Sequence, residues 1–239
     1  MAFACPQKLL PLLQAKSLVD ELRPTRAQPA NFDVVLPLGD LPALLAADDT
    51  PPPIAFSVAP ERLTHWREHL VSLGPPPYLG VTWRAGTSRD DPSEFGARGE
   101  DPLQKEIDLV ALAAALRGCR GTVLILQRLP REGDVAGFRQ ALGRVAHDLS
   151  SLNDELVDMA ALLFLMDEYV AVSNTNVHIR AAVGKAARVL VPFPPEFRWM
   201  HVGDHSPWFP SSSVYRQSEN RGWQRALDAL VGDLNQMNA

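Results

Sequence analysis

From Tyr78 onward the chain alternates short, unbroken apolar runs with helix-like stretches, and that alternation constrains its fold more than any other feature. Thr122–Gln127 and Arg188–Val191 carry apolar residues at consecutive positions, the pattern of strands buried on both faces. Tyr78–Trp83 and Tyr169–Ser173 are further strand candidates. Helical periodicity predicts a helix over Leu103–Leu116, with Ile107, Val110, Leu112 and Leu116 on its apolar face. Further helices are predicted over 134–146, over 154–166, from Val177, and over roughly 220–236, where Trp223, Leu227, Leu230 and Leu234 recur at helical spacing. Strands alternating with helices predict the α/β class, a Rossmann-like, doubly wound parallel sheet covered on both faces.

In such sheets ligands sit outside the carboxyl ends of the strands. Three polar turns fall there, Arg84–Ser88, Gln127–Arg131 and Ser173–His178, and they are expected to converge. In the third, a strand feeds a helix directly, and the first N–H groups of that helix lack partners. An anion is attracted by those donors and by the positive end of the helix dipole. Ser, Thr and Asn are equally the usual helix caps, so Ser173, Asn174, Thr175 and Asn176 also read as a plain N-terminus. His178 fits either a ligand contact or a structural role. Gly86 admits a close backbone approach and Thr87 and Ser88 offer hydroxyls, or the three form a simple turn. Arg84 and Lys105 are cation candidates or exposed charges; Gln127 offers its amide to a base or ribose edge, or to an ordinary strand-end hydrogen bond.

Composition excludes some classes. A net charge of −5 argues against broad binding to nucleic acid or anionic membranes. Cys5 and Cys119 share no metal or redox spacing, which fits a reducing compartment, and no apolar run approaches the length of a transmembrane helix. Leu9–Leu13 is short and broken by Pro11, a poor signal peptide, so the expected location is cytoplasmic. His65/His69 and His201/His205 share i, i+4 spacing but lack a third ligand. Asp48-Asp49 and Asp90-Asp91 lie in proline-rich loops and read as solvated charge, so no metal site is expected. Neither a P-loop nor a GxGxxG pattern occurs.

The 21 prolines punctuate the chain. Pro51–Pro53 and Pro75–Pro77 bracket a predicted helix from Pro60 to Leu73, with Leu63, Trp66 and Leu70 on one face, that reads as a connector. Before it, Leu9–Leu22 is predicted helical, Phe32–Leu36 a strand and Leu41–Ala47 a short helix. One βαβ unit takes about 30 residues, so this segment is too short for a second complete doubly wound domain and reads as the tail of one.

The order of motifs resembles the glycosyltransferase family 9, or heptosyltransferase-like, proteins of GT-B fold, in the branch often carrying tetratricopeptide repeats upstream. Phe32-Asp33 with Pro37-Leu38-Gly39-Asp40-Leu41-Pro42 is similar to the family's "PLxSLP" segment, and Gly80–Gly86 to its "GLVWSG" strand and turn. Leu124–Gln127 resembles "xSLQ", Asp158–Leu162 "DTAAL", and Ser173–His178 "VDTAVAH". Phe197-Arg198-Trp199 with Ser206–Pro210 resembles "DWRW…SPWYP".

The resemblance implies three parts: 1–57 as a partial acceptor-type segment, 58–77 as a connector helix and proline-rich linker, and 78–239 as a nucleotide-sugar-binding domain. It implies a nucleotide-diphospho-sugar donor held by Arg84, Gly86, Thr87, Lys105, Gln127, Ser173, Asn174, Thr175, Asn176 and His178. Lys105 would stabilise the leaving diphosphate, without metal or further cofactor. The acceptor, a glycan or a protein, is unspecified, and upstream repeats or a full acceptor domain are the implied partners. Arg198, Trp199 and Trp208 would shape a sugar pocket, although such tryptophans more often anchor a core. Asn174 stands where the family has Asp, and Asn176–His178 lacks the glycine-containing turn of true heptosyltransferases. Those departures support the alternative of a catalytically degenerate domain serving as a protein-interaction or scaffolding module.

Overall fold

The computed structural model describes residues 1–14, 19–25, 32–46, 49–50, 54–85 and 105–237. The chain opens on a two-stranded parallel sheet, β1 (Ala2–Cys5) with β2 (Glu21–Pro24), with α1 (Leu10–Gln14) between them. The predicted helix over Leu9–Leu22 therefore stops at Gln14, and Glu21 and Leu22 are extended; 15–18 lie outside the described residues. A short helix, α2 (Leu41–Leu44), falls inside the predicted Leu41–Ala47, whose last residue is not described. Phe32–Leu36 forms no strand, and its side chains are exposed, with no strand paired to it among the described residues. Next comes α3 (Pro60–Leu73), as the spacing predicts, burying Trp66 and Leu70.

From there the chain builds one six-stranded sheet. Its strands are β3 (Tyr78–Thr82), β6 (Thr122–Ile125), β7 (Ala146–Asp148), β8 (Glu168–Val172), β9 (Arg188–Val191) and β10 (Ser213–Arg216). Between β3 and β6 a two-residue antiparallel pair, β4 (Arg84–Ala85) with β5 (Lys105–Glu106), precedes α4 (Leu109–Ala115). The remaining helices are α5 (Asp134–Leu142), α6 (Leu156–Leu165), α7 (Thr175–Ala182) and α8 (Gln224–Met237). All pairings in the large sheet are parallel, in the order β7-β6-β3-β8-β9-β10. Counted along the chain within that sheet, the order is 3-2-1-4-5-6, that of dinucleotide-binding sheets.

Both faces are covered, which explains the continuous apolar runs. Leu124, Leu126, Tyr169, Ala171, Val189 and Val191 face a core shared with α3, α6 and α7. Leu79, Val81, Val123, Ile125, Val170, Val172 and Leu190 face the other, shared with α4, α5 and α8. Burying each of these aliphatic side chains contributes about 1.5–3 kcal/mol, so strands apolar at every position are favoured only in a sheet sandwiched this way. Gly121 makes the turn into β6: its φ is +79, and a Cβ there would lie 1.9 Å from the Pro77 carbonyl oxygen.

The helix predicted over Leu103–Leu116 begins only at Leu109. The Asp108 carboxylate accepts the Ala111 N–H at 2.7 Å and caps the helix there, while Ile107 N–H bonds the Trp83 carbonyl at 2.9 Å. Lys105 thus sits on a strand, not at a helix start, and Val110 faces solvent at 51% exposure. The helix predicted over 134–146 ends at Leu142, because Gly143 (φ +76) turns the chain and frees Ala146–Asp148 to pair with β6. The edge strand β10 was not expected from the sequence. Among the described residues no helix is long and apolar enough to cross a membrane.

Candidate functional site

A cleft of about 1070 Å³ opens at the carboxyl ends of β3, β6 and β8. It lies at the topological switch point, where the chain leaves β3 over one face and returns to β8 over the other. Leu9, Leu12 and Leu13 of the N-terminal segment line its far side, with Ile54 and Phe56. The Phe56 N–H donates to the Ala182 carbonyl at 2.7 Å, tying that segment to α7.

Each of the three predicted turns reaches this cleft. In the first, Arg84 donates to the Leu129 carbonyl at 2.8 Å and lies 3.7 Å from the Asp134 carboxylate. Gly86, Thr87 and Ser88 lie outside the described residues. In the second, Gln127 is fully engaged with the main chain. Its Oε1 accepts from Trp83 N and Arg84 N at 3.1 and 2.9 Å, and its Nε2 donates to the Arg84 and Arg128 carbonyls at 3.0 and 2.8 Å. Gln127 therefore fixes the strand-end loop that carries Arg84.

In the third turn, Asn174 caps α7: its Oδ1 accepts Val177 N–H at 3.1 Å. Its Nδ2 donates to the Tyr169 hydroxyl at 3.1 Å, which lies 2.9 Å from Thr82 Oγ1, so one buried chain of polar groups joins β3, β8 and the helix start. Burial pushes the Tyr169 phenol up, so it stays a neutral member of that chain. Asn176 donates to Asn153 at 3.1 Å, and Asn153 in turn to the Leu126 carbonyl at 3.2 Å. Thr175 is exposed at the cleft. Asn174 is thus the helix cap, and Ser173, Thr175 and His178 line the cleft beside it.

Glu196, on the loop after β9, was missed by sequence reasoning. Its carboxylate accepts from the buried Ser173 hydroxyl at 2.5 Å and from Lys105 Nζ at 3.2 Å, and lies 3.5 Å from Arg198. Burial raises this carboxyl, but the Ser173 hydroxyl, Lys105 and Arg198 together outweigh it, so it sits below the usual carboxylate range. The sequence signal was a single Glu after two prolines, indistinguishable from a solvated loop charge. Lys105 lies 91 residues from Glu196 in sequence, and only the fold brings it to the pair Glu196 and Arg198. His178 Nε2 lies 3.5 Å from Arg198 and its ring stands edge-on to Phe209 at 5.0 Å. Burial, then the Arg198 charge, pushes its pKa down to about 4, so it is neutral at physiological pH.

Charge is the site's plainest property. Lys8, Arg84, Lys105, Arg128, Arg131 and Arg198 line the cleft, and among the described lining residues there is no Asp or Glu. A chain of net charge −5 has concentrated cations at its switch point. Trp199 is wholly buried and stacked on Phe209 at 4.9 Å, a core anchor, whereas Arg198 and Trp208 line the cleft. His65 and His69 flank Trp66 on α3 as ring-edge neighbours, away from the cleft. Among the described residues no group of three or more His, Cys, Asp or Glu is placed to hold a metal ion.

Fold and site together define a doubly wound α/β unit with a cationic crevice at its switch point. Solved structures include a likeness: a glycosyl transferase family 9 protein from Veillonella parvula superposes with a TM-score of 0.52, covering 83% of this chain and 57% of that one at 10% identity. That likeness is one of fold. In sequence, the chain is 26% identical over 216 residues to Protein FlbA of Caulobacter vibrioides, covering 87% of this chain and 34% of that protein. The chain thus spans about a third of the length of that curated relative. No family model matches it.

Proposed function

We propose that this chain is a glycosyltransferase-like donor domain that binds a nucleotide-diphospho-sugar in the switch-point cleft. The observation carrying the proposal is the lining: six Lys and Arg side chains and, among the described residues, no carboxylate, in an acidic chain. A ligand with two adjacent phosphates satisfies such a surface, and the apolar side chains on the far wall suit a base or sugar face. Lys105 and Arg198, held by Glu196 beside Ser173, would stabilise the diphosphate as it leaves, with the acceptor hydroxyl attacking the sugar carbon. Transfer without a bound metal belongs to this proposal, these cations taking the charge-stabilising role. So do the heptosyltransferase-like placement with upstream tetratricopeptide repeats, the division into 1–57, 58–77 and 78–239, and a cytoplasmic setting, which the two unbonded cysteines fit.

The test is a thermal-denaturation panel with uridine, guanosine, adenosine, cytidine and thymidine diphosphates and their hexose conjugates. A ligand at about 100 times its Kd stabilises by about 2.7 kcal/mol, which for a chain of this size raises the midpoint by about 5–10 °C. Lys105→Ala should diminish that rise. A folded sample that responds to none of these compounds would sink the proposal.

One observation favours a second reading, a catalytically degenerate domain used for protein contact. Among the described lining residues no Asp or Glu can act as general base, and His178, with its pKa near 4, is a weak one. Nucleotide binding without hydrolysis or transfer of the sugar, with the complete protein and any candidate acceptor, would select this reading.

A further inference from the structure

Leu129 carries two costs that the fold does not offset. Its φ is +47, in the left-handed region, where the Cβ of a bulky residue crowds its own backbone. Pro130 follows, and a proline favours an extended residue before it. The side chain is also 69% exposed and belongs to neither hydrophobic core. Gly or Asn is the ordinary choice for such a turn. Among the described residues three others besides glycine have a left-handed φ, Ala46, Met200 and Arg221; of the four, Leu129 alone lines the cleft.

The turn is held from both sides. Arg84 donates to the Leu129 carbonyl at 2.8 Å, and Gln127 Nε2 donates to the Arg128 carbonyl at 2.8 Å. Beyond Pro130 the Asp134 carboxylate accepts the Arg131 N–H at 2.9 Å, and Arg131 Nη1 donates to the Glu106 carboxylate at 2.8 Å. At Leu129 itself the bond uses the carbonyl, which any residue would offer. These bonds account for the turn and not for the leucine. An apolar side chain held out at a cleft, on a backbone it disfavours, points to a ligand contact.

The sheet says which part of the ligand that is. Leu129 follows β6, whereas Ser173 follows β8 and Glu196 follows β9. β6 and β8 flank β3, and two strand spacings set their ends about 10 Å apart. A diphosphate on Lys105 and Arg198 bears the transferred sugar directly and the base one pentose farther along. The base is the part that covers two strand spacings.

We propose that Leu129 is the contact for the nucleobase, its side chain packing on the flat face of the base. This rests on the reading of the cleft as a nucleotide-sugar site. Every base presents such a face, so Leu129 favours nucleosides as a class over bare phosphates and does not choose among bases.

Calorimetry on the full chain tests the contact, with inorganic pyrophosphate, the five nucleoside diphosphates, uridine and adenosine as probes. Asn tolerates the left-handed turn, so Leu129→Asn is expected to unfold at or above the wild-type midpoint. It should weaken the tightest nucleoside diphosphate about tenfold, the loss of one desolvated aliphatic contact, and leave pyrophosphate unchanged. Leu129→Met keeps an apolar side chain and should stay within about twofold of the wild type. Equal nucleoside diphosphate affinity in Leu129→Asn overturns the contact. So does a parallel loss of pyrophosphate, a loss in Leu129→Met as large as in Leu129→Asn, or a lowered midpoint, which would make the leucine part of the fold. If pyrophosphate fails to bind while uridine or adenosine binds and is weakened by Leu129→Asn, the diphosphate reading fails and the base contact stands. If no nucleoside and no nucleoside diphosphate binds, the base contact is overturned.

Discussion

His178 shows how one residue's surroundings set what the cleft presents. Phe209 packs on its ring, and Arg198, Lys105 and Glu196 are the charges that act on it. Its pKa falls from 6.5 to about 4, chiefly through burial, so the unfolded chain takes up a proton at a higher pH than the folded one. Stability is therefore complete above about pH 6.5 and declines as pH drops toward 4, by about 3 kcal/mol at most. Glu196, whose carboxyl is held below its ordinary value of 4.5, adds a further loss as pH falls below about 4.5, where the unfolded chain takes up the proton before the folded one, and that loss is complete once the folded carboxylate is protonated. Urea unfolding at a series of pH values should show the first decline in the wild type and little of it in His178→Gln. An equal decline in the variant would assign the effect to other groups. In sequence His178 was one of six histidines with two open readings. Its low basicity depends on Arg198 and Phe209, which only the fold brings to it.

Among the elements, α7 carries both the site and a fastening that keeps it in place. Arg180, 2% exposed, donates to the Leu163, Met166 and Asp167 carbonyls at 2.7, 3.2 and 2.9 Å, and to that of Ala186. The first two belong to the end of α6, where carbonyls have no helical partner and a cation complements the helix dipole. Burial pushes the guanidinium down to about 10, which still leaves it charged at neutral pH. Replacing it with Met strands these carbonyls in the core, and Arg180→Met should lower stability by about 3 kcal/mol in denaturant unfolding. A change within half a kcal/mol, roughly the spread of a surface substitution, would mean that water or rearrangement satisfies them. The same scale shows where periodicity was readable. Long buried runs such as Thr122–Ile125 and Arg188–Val191 announced their strands because both faces are apolar. The three-residue β7 has one buried side chain, Ala146, and follows a helix, so nothing in its pattern separated it from α5. Lys105 looked like a helix residue because Ile107 and Val110 stand three apart and Leu112 and Leu116 four apart, a helical spacing, whereas the Asp108 cap sets the boundary.

For the molecule as a whole, the doubly wound topology followed from alternation alone, and with it the convergence of the three turns at one edge. The sign of the cleft did not. Net charge is a sum over the surface, and a value of −5 says nothing of where the cations gather. Six of them line the crevice, with Asp134, Glu106 and Glu196 standing beside four. A bound diphosphate would feel these cations at hydrogen-bonding range and the rest of the acidic surface from farther off. Salt screens both, with a Debye length falling from about 10 Å at 0.1 M to about 3 Å at 1 M. At low salt the distant negative charge opposes binding while the near cations favour it; because the near charges lie within a few ångströms, their attraction is expected to dominate. Affinity for a nucleoside diphosphate should then weaken roughly fivefold between about 0.05 and about 0.5 M sodium chloride, measured by calorimetry. If affinity instead holds steady or rises with salt, the carboxylates beside the cleft neutralise its cations, and binding must rest on the backbone donors of α7 and the apolar wall.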